Sequence, residues 1–186
     1  MHRVFWSFAI FVPLGAHLTA EQAVIPDTGG SRIQADPNNK KLIQLVAENN
    51  RLRLTLSARK GFNRRFPVIA IFLKIENLSD QPIVFDPSKY SVVNEEGRAG
   101  AGLRPDDAVK RVLDSTVLYL GSPTRDSPVE RKISSDINRD SLQPGEIPPR
   151  SFKEGMVFFE SPSKRSKTFR LTLGDLWPES FVYVAK

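Results

Sequence analysis

Two segments of the chain show a strict alternation of apolar and polar residues. In residues 51–58 every second side chain is apolar, and in residues 68–76 isoleucine and leucine recur with the same spacing. A period of two residues is typical of a β-strand that buries one face. In the second segment Ala70 and Phe72 make the opposite face partly apolar. We therefore predict that this strand lies in the centre of a sheet.

Further short apolar segments, separated by turn-forming residues, predict more strands. The turns are rich in Asn, Asp, Gly and Pro, whose side-chain hydrogen bonds or backbone preferences favour chain reversal. The additional strands are predicted at residues 83–85, 90–93, 156–160, 168–173 and 181–184. Many short strands with Pro and Gly at their joints are typical of an antiparallel β-sandwich.

One segment changes its period from two residues to that of a helix. After Pro105, apolar residues recur at helical spacing up to Leu120, and Gly121 follows. Asp106 and Asp107 lie in the first turn, where carboxylates interact favourably with the helix dipole. The pattern predicts one helix over about residues 105–120, inserted between strands.

We predict three consecutive regions in the chain. Residues 1–20 form an export signal, residues 21–41 a flexible polar leader, and residues 42–186 one folded domain. The leader contains Gly and Pro and lacks an apolar period. Within the domain, residues 122–150 are polar, contain proline and show little periodicity, which predicts a mobile excursion.

The prediction of an export signal depends on the first twenty residues. Arg3 precedes an apolar run that ends at Leu18, and Ala20 suits the position before a cleavage site. The alternative is an uncleaved anchor, but a spanning helix needs about 20 apolar residues, and this run is shorter. We expect a protein exported to the periplasm or the extracellular space, with no transmembrane segment after cleavage. Because the chain contains no cysteine, we expect that it is not a lipoprotein.

The composition restricts the chemistry that the exported protein can perform. The chain has two histidines, His2 and His17, and no cysteine. Both histidines lie in the predicted signal, so the exported part has neither imidazole nor thiol. A Ser-His-Asp triad, a Cys-His pair, a zinc-bound water and a blue-copper site all require one of these groups. We therefore expect no enzymatic activity, no catalytic or metal-binding residues and no cofactor.

Three weaker motifs have simpler structural interpretations. Asp136, Asn138 and Asp140 match the first ligand positions of a calcium loop, but the glycine and glutamate that should follow are absent. Residues 77–79 form a glycosylation sequon, Asn-Leu-Ser, which is also typical of a hairpin turn. The glycine-rich residues 97–102 lack the flanking strand and helix of a phosphate-binding loop, so they are interpreted as a flexible connection.

Clustered positive charge is the strongest candidate for a functional feature. The net charge is +6, and loss of Arg3 with the signal leaves +5. One segment interleaves cations with phenylalanines: Arg59, Lys60, Phe62, Arg64, Arg65 and Phe66. Residues 164–167 add a second basic group. Such a composition can bind phosphate and stack on bases, but export argues against nucleic acid. We predict that Arg59, Lys60, Arg64 and Arg65 form a surface for an anionic partner such as lipid, polysaccharide or acidic protein; the alternative is a solubilising loop.

Four segments together resemble a known family. They are residues 72–87, 90–97, 142–146 and 154–162, which contain an asparagine-rich hairpin turn, a turn ending in glycine, a Pro-Gly turn and a strand ending in Phe-Glu-Ser-Pro. This pattern resembles the bacterial exported immunoglobulin-like domains of unknown function, which are similar in fold to the mycobacterial immunoprotective extracellular antigen. The resemblance covers residues 42–184. It implies an all-β, antiparallel immunoglobulin-like sandwich with one inserted helix, and its motifs contain no catalytic residues.

A second resemblance is to the immunoglobulin-like bacterial proteinase inhibitors. These share a strand, an Asn-x-Ser-Asp-x-Pro turn, here residues 77–82, and a later Pro-Gly-Glu, here residues 144–146. The resemblances lead to two expectations about function. The first is a non-catalytic module that binds another envelope component, either an envelope protein or an anionic surface polymer. The alternative is an inhibitor of an exported protease, with residues 122–150 as the inserting loop.

Overall fold

The computed structural model describes residues 23–24, 31–36, 39–57, 67–120, 127–163, 166 and 168–184. Within these residues the chain forms twelve strands, two α-helices and two short 3-10 helices at Pro87–Lys89 and Gly174–Leu176. The strands are β1 (Ala23–Val24), β2 (Ser31–Asp36), β3 (Asn39–Glu48), β4 (Leu52–Ser57), β5 (Val68–Asn77), β6 (Ile83–Phe85), β7 (Ser91–Asn94), β8 (Ala99–Leu103), β9 (Gly145–Ile147), β10 (Phe152–Glu160), β11 (Thr168–Thr172) and β12 (Ser180–Val184). The α-helices are α1 (Pro105–Leu120) and α2 (Pro128–Asp140).

Ten of these strands form one sheet in the order β1-β12-β11-β7-β8-β10-β5-β4-β3-β2, and β6 pairs with β9 separately. The pairs between these strands are all antiparallel within the described residues. The prediction of a mostly β, antiparallel fold is therefore confirmed.

The ten-stranded sheet must curl, because its two edge strands are close in sequence. β1 and β2 form opposite edges, yet only six residues separate Val24 from Ser31. A chain of this length spans at most about 25 Å. Ten flat strands with a spacing of about 4.8 Å would be about 43 Å wide. The curl brings the edges together and encloses the apolar core.

β5 lies near the middle of the sheet, as its two apolar faces predicted. It pairs with β4 on one side and with β10 on the other. On its inner face, Ile69, Ile71, Leu73 and Ile75 are at most 3% exposed. These side chains pack with the inward residues of β3, β4, β10 and β11 in the main core.

The two helices cover part of the outer face of β5 and β10. Phe72 on β5, and Met156 and Phe158 on β10, belong to a second apolar cluster that also contains Val112 of α1 and Ile133 of α2. A strand that is buried on both faces gains hydrophobic stabilisation from each of them. This second cluster explains why the outer faces of β5 and β10 are apolar at this end.

The structure corrects the prediction of a single inserted helix. The helix expected after Pro105 is α1, but α2 and β9 occupy much of residues 122–150, which we predicted as a mobile excursion. At the start of α2 the hydroxyl of Ser127 accepts a hydrogen bond from the backbone N–H of Glu130, at 3.1 Å, and Pro128 is the first helical residue. Ser-x-x-Glu with proline in the first turn is a helix-start signal. The sequence contained this signal, although the polar composition obscured it.

The structure also differs from the prediction of a flexible leader at residues 21–41. β2 pairs with β3 from Ser31 to Asp36, so part of this region is an edge strand. A strand is held by backbone hydrogen bonds to its neighbour, and these do not depend on an apolar period in the sequence. The predicted signal, with His2 and His17, lies outside the described residues.

Candidate functional site

The four predicted site residues Arg59, Lys60, Arg64 and Arg65 lie outside the described residues. The structure does place the strand ends on either side of them, because β4 ends at Ser57 and β5 begins at Val68. The second basic group, residues 164–167, lies between the end of β10 at Glu160 and the start of β11 at Thr168.

One strand end from each of the two basic segments is a direct neighbour of the other. Glu160 at the end of β10 is paired with Val68 at the start of β5. Beyond this pair, the backbone N–H of Ser161 donates a hydrogen bond to the carbonyl oxygen of Pro67, at 2.8 Å. One end of residues 58–66 and one end of residues 161–167 therefore meet the sheet at adjacent points, although the two segments are far apart in the chain. We call this part of the sheet, marked by Val68, Glu160 and Ser161, the basic end.

The two basic segments carry positive charge without carboxylates of their own. Residues 58–66 contain four basic residues and no acidic one, and residues 161–167 contain Lys164, Arg165 and Lys167 and no acidic one. Two carboxylates of the described chain lie near these strand ends: Glu160 forms an ion pair with Arg111, and Glu95 accepts a hydrogen bond from the backbone N–H of Thr168. The sequence thus concentrates seven cations in two segments, one of which ends beside the point where the other begins.

Tyr90 and Asp86 have displaced pKa values with structural causes. Burial raises the pKa of Tyr90 to about 12, assisted by the nearby carboxylates of Asp86 and Asp175. Hydrogen bonds from the hydroxyl and the backbone N–H of Ser88 lower the pKa of Asp86, which caps the first 3-10 helix. General acid–base catalysis works best with a pKa near the operating pH, and both shifts move away from neutrality.

The incomplete calcium-loop pattern of Asp136, Asn138 and Asp140 lies in α2 and forms no loop. Residues two apart on a helix point in different directions, so their oxygens do not converge on one ion. Asp136 instead forms ion pairs with Lys132, at 3.0 Å, and with Arg139, at 3.3 Å. Across the described parts of the chain, no group of three or more His, Cys, Asp or Glu side chains has metal-binding geometry.

The flexible-connection interpretation of residues 97–102 is also wrong. Gly97, with φ +79°, closes the turn between β7 and β8, and the remaining glycines lie within β8. A Cβ atom on Gly100 would lie 1.9 Å from the carbonyl oxygen of Glu160, and one on Gly102 would lie 1.8 Å from that of Pro87. Glycine is required here because backbones approach closely.

The glycosylation sequon has a structural role. Asn77 is 1% exposed, and its Nδ2 donates hydrogen bonds to the carbonyl oxygens of Gln81 (2.7 Å), Ile147 (3.1 Å) and Pro148 (3.1 Å). Its Oδ1 accepts hydrogen bonds from the backbone N–H and the hydroxyl of Ser79. The nitrogen that would carry a glycan is therefore buried in the folded protein, and the motif serves to join two turns.

Three turns meet at the end of the sheet opposite the basic end. They are residues 49–51, 78–82 and 148–151, which we call the turn cluster. The backbone N–H of Leu78 donates to the carbonyl of Arg51, at 2.9 Å, and that of Asn77 donates to the carbonyl of Ser151, at 2.8 Å. β5 has ten residues and joins the two ends, so the turn cluster lies about 30 Å from the basic end.

In the described part of the chain, no helix is long and apolar enough to cross a membrane. No protein-family model and no curated protein matches the chain. Among solved structures, the chain is similar to a candidate lipoprotein of Bacillus subtilis, with 13% identity and a TM-score of 0.41. The match covers 74% of this chain and 37% of that chain, so this chain spans little more than a third of that protein's length. A TM-score this low supports no conclusion about fold or function.

Proposed function

We propose that the protein is an exported, non-catalytic module with an immunoglobulin-like β-sandwich fold that binds an anionic component of the bacterial envelope. The observation that carries this proposal is the pairing of Val68, where the first basic segment rejoins the sheet, with Glu160, after which the second basic segment begins. The curled antiparallel sheet around one core supports the sandwich assignment. The absence of imidazole and thiol from the chain after residue 20 supports a role in binding rather than catalysis.

The partner is best described as an anionic lipid surface or an anionic polymer. Seven cations in two neighbouring segments provide many weak contacts, whereas one small anion would contact only a few of them. Each Lys or Arg near an anionic membrane contributes about 1 kcal/mol to binding. Four such residues would contribute about 4 kcal/mol, which corresponds to a factor of up to about 1000 in affinity. The attraction weakens as salt shortens the Debye length.

The test compares the exported chain, beginning at Glu21, with two charge-matched variants. In the first variant Arg59, Lys60, Arg64 and Arg65 are all changed to Gln. In the control variant four exposed cations elsewhere in the structure are changed to Gln: Arg51, Lys89, Arg131 and Lys132. Both variants lose four positive charges, so any effect of net charge alone is the same.

Binding is measured by co-sedimentation with phosphatidylcholine vesicles that contain or lack phosphatidylglycerol, and with soluble polyphosphate. We expect binding to the anionic probes only, a loss of about 100-fold or more in the first variant, and less than about threefold in the control. Binding should weaken strongly between about 0.05 and about 0.5 M salt. Equal losses in the two variants, or no binding to either anionic probe, would refute the proposal.

The alternative function, inhibition of an exported protease, has less support. It required residues 122–150 to insert into an active site as a loop, whereas α2 and β9 occupy much of this segment. A protease panel checks this alternative directly. Stoichiometric inhibition that is lost when residues 122–127 are replaced by a glycine-serine linker would favour it over the envelope-binding proposal.

A further inference from the structure

The turn cluster is a rigid surface built from three separate parts of the chain. Asn77 connects the second and third turns through its buried side chain, and Leu78 connects the first and second through a backbone hydrogen bond. The hydroxyl of Ser151 donates to the carbonyl of Pro148, at 2.8 Å, within the third turn. A surface that is ordered before binding loses little conformational entropy when a partner binds. Loops held in this way on a rigid scaffold are common places for recognition.

Arg150 has a left-handed backbone conformation whose energetic cost its own contacts do not offset. It is the non-glycine residue with positive φ, +57°, in the described chain, and a residue with a Cβ atom is disfavoured there relative to glycine. Its guanidinium pairs with Asp80, at 3.0 Å, but the two side chains are 66% and 83% exposed. An ion pair this exposed adds little stability. Stability alone therefore does not explain arginine at this position, and backbone strain of this kind is typical of functional sites.

Phe152 is a second residue of the same region that stability does not explain. It begins β10, directly after the third turn, on the part of the outer face that the helices leave uncovered, and it is 56% exposed. The ammonium group of Lys74 lies 4.6 Å from the centroid of its ring. An exposed aromatic ring that a cation holds in position, two residues along the chain from Arg150, is typical of the few residues that dominate protein–protein affinity.

The charge of the turn cluster indicates the chemistry of its partner. Its three turns contain two basic residues, Arg51 and Arg150, and one acidic residue, Asp80. Within the described residues, no carboxylate forms an ion pair with Arg51. A net charge of one is too small to bind a polyanion, and an exposed ring gains nothing from a phosphate group. A folded protein that presents a carboxylate next to an apolar pocket complements both features.

We propose that the turn cluster docks such a protein, with Arg150 pairing to the partner's carboxylate and Phe152 filling its apolar pocket. Asp80 then gives up part of its ion pair with Arg150, at little cost because that pair is exposed to water. The surface lies about 30 Å from the basic end, so the two ends can bind at the same time. The module would then hold a protein partner at an anionic surface, but docking does not depend on binding at the basic end.

The test places the photo-crosslinking residue p-benzoylphenylalanine at position 152 of the full chain, expressed in its native cells. A control chain carries the same residue in place of Val129 on α2, which is 39% exposed. We expect a crosslinked protein at position 152 that the control does not capture. The captured protein is then purified, and its affinity for wild-type and variant chains is measured by calorimetry.

We expect Arg150→Gly and Phe152→Ala each to weaken binding at least about tenfold, and Phe152→Leu to retain more affinity than Phe152→Ala. Val129→Ala should change affinity less than about twofold. Arg150→Gly suits the positive φ, so its effect on binding is not confused with unfolding. The proposal is overturned if position 152 captures nothing beyond the control, if it captures only a second copy of this chain or only lipid, or if the captured protein binds Arg150→Gly as tightly as wild type. Loss of anion binding at the basic end would leave all these results unchanged.

Discussion

The substitution Asn77→Ala tests whether one buried amide holds the turn cluster together. It removes the Nδ2 donor from three carbonyl oxygens and the Oδ1 acceptor from Ser79. The carbonyl of Ile147 is buried and loses its side-chain partner, at a cost of about 1 to 3 kcal/mol. The other groups lie nearer the surface and can bind water, so each contributes about 0.5 kcal/mol. We expect the free energy of unfolding to fall by about 3 to 5 kcal/mol.

Urea denaturation followed by circular dichroism measures this change, with an unchanged m value showing that the same transition is compared. Ser79→Ala is the matched control, because it removes one exposed hydroxyl from the same network, and it should cost about 0.5 kcal/mol. Hydrogen exchange should become faster in residues 78–82 and 148–151 of the Asn77→Ala variant and not in α1. A loss below about 1 kcal/mol, or one equal to that of Ser79→Ala, would refute the argument.

Asn77→Asp separates the loss of a donor from the loss of volume. The aspartate keeps the shape of the side chain but places an oxygen where Nδ2 faces three carbonyl oxygens. The charged form is disfavoured in this position, so the pKa of the new carboxyl should be higher in the folded than in the unfolded state. A raised carboxyl pKa makes the variant relatively more stable as the pH falls, because the protonated group can donate again. The same denaturation curves, measured at neutral and at mildly acidic pH, check this sign.

Four further substitutions test local features of the fold. Gly100→Ala places a Cβ 1.9 Å from the carbonyl oxygen of Glu160 and should lower the free energy of unfolding by about 3 kcal/mol or more. Gly97→Ala, with φ +79° but no atom within 4 Å of the added Cβ, should lower it by about 1 kcal/mol. Equal losses of stability in thermal denaturation would contradict this comparison. The pKa of Tyr90 is raised from 10.0 to about 12, so the folded state holds the phenolic proton more tightly than the unfolded state does. The resulting stabilisation is fully present below pH 10 and is lost as the pH rises towards 12, by about 2 to 3 kcal/mol. Tyr90→Phe should remove this part of the alkaline loss in denaturation curves, and an identical pH profile would disprove the assignment. Arg150→Gly should leave stability unchanged or raise it by up to about 1 kcal/mol, because relief of the positive φ offsets the greater freedom of glycine in the unfolded chain; a clear fall in melting temperature would show that Arg150 stabilises the turn.

Several elements could be predicted from the sequence because their signals are local. The alternation in residues 51–58 and 68–76 identifies β4 and β5, since the side chains of a strand point to opposite faces at every step. The double apolar pattern around Phe72 also indicated a strand buried on both faces. For α1, the apolar spacing and the acidic first turn lie within sixteen residues. The start of α2 had an equally local signal at Ser127, and Ile133 and Ile137 are one helical turn apart, but so few apolar residues in a polar segment did not establish the period.

Other features depended on pairings between distant segments. The sequon at Asn77 and the glycines of β8 have ambiguous local patterns, and their roles became clear only from the backbones that pack against them. The exposure of Phe152 could not be predicted, because an apolar residue at the start of a strand is equally compatible with the core. These properties depend on which strand lies beside which, and strand order is determined by burial of the whole sheet rather than by any one segment.

The sequence by itself therefore determined the mostly β class, the positions of the central strands and α1, and the concentration of cations in residues 58–66 and 164–167. Only the tertiary structure decided that Val68 and Glu160, one strand end from each of these two segments, are neighbours and that three turns meet at the other end of β5. Periodicity and turn chemistry act within a few residues, so they can be recognised in the chain alone. The pairing of Val68 with Glu160 joins segments far apart in sequence, and it forms only because it buries the apolar faces of β5 and β10 together.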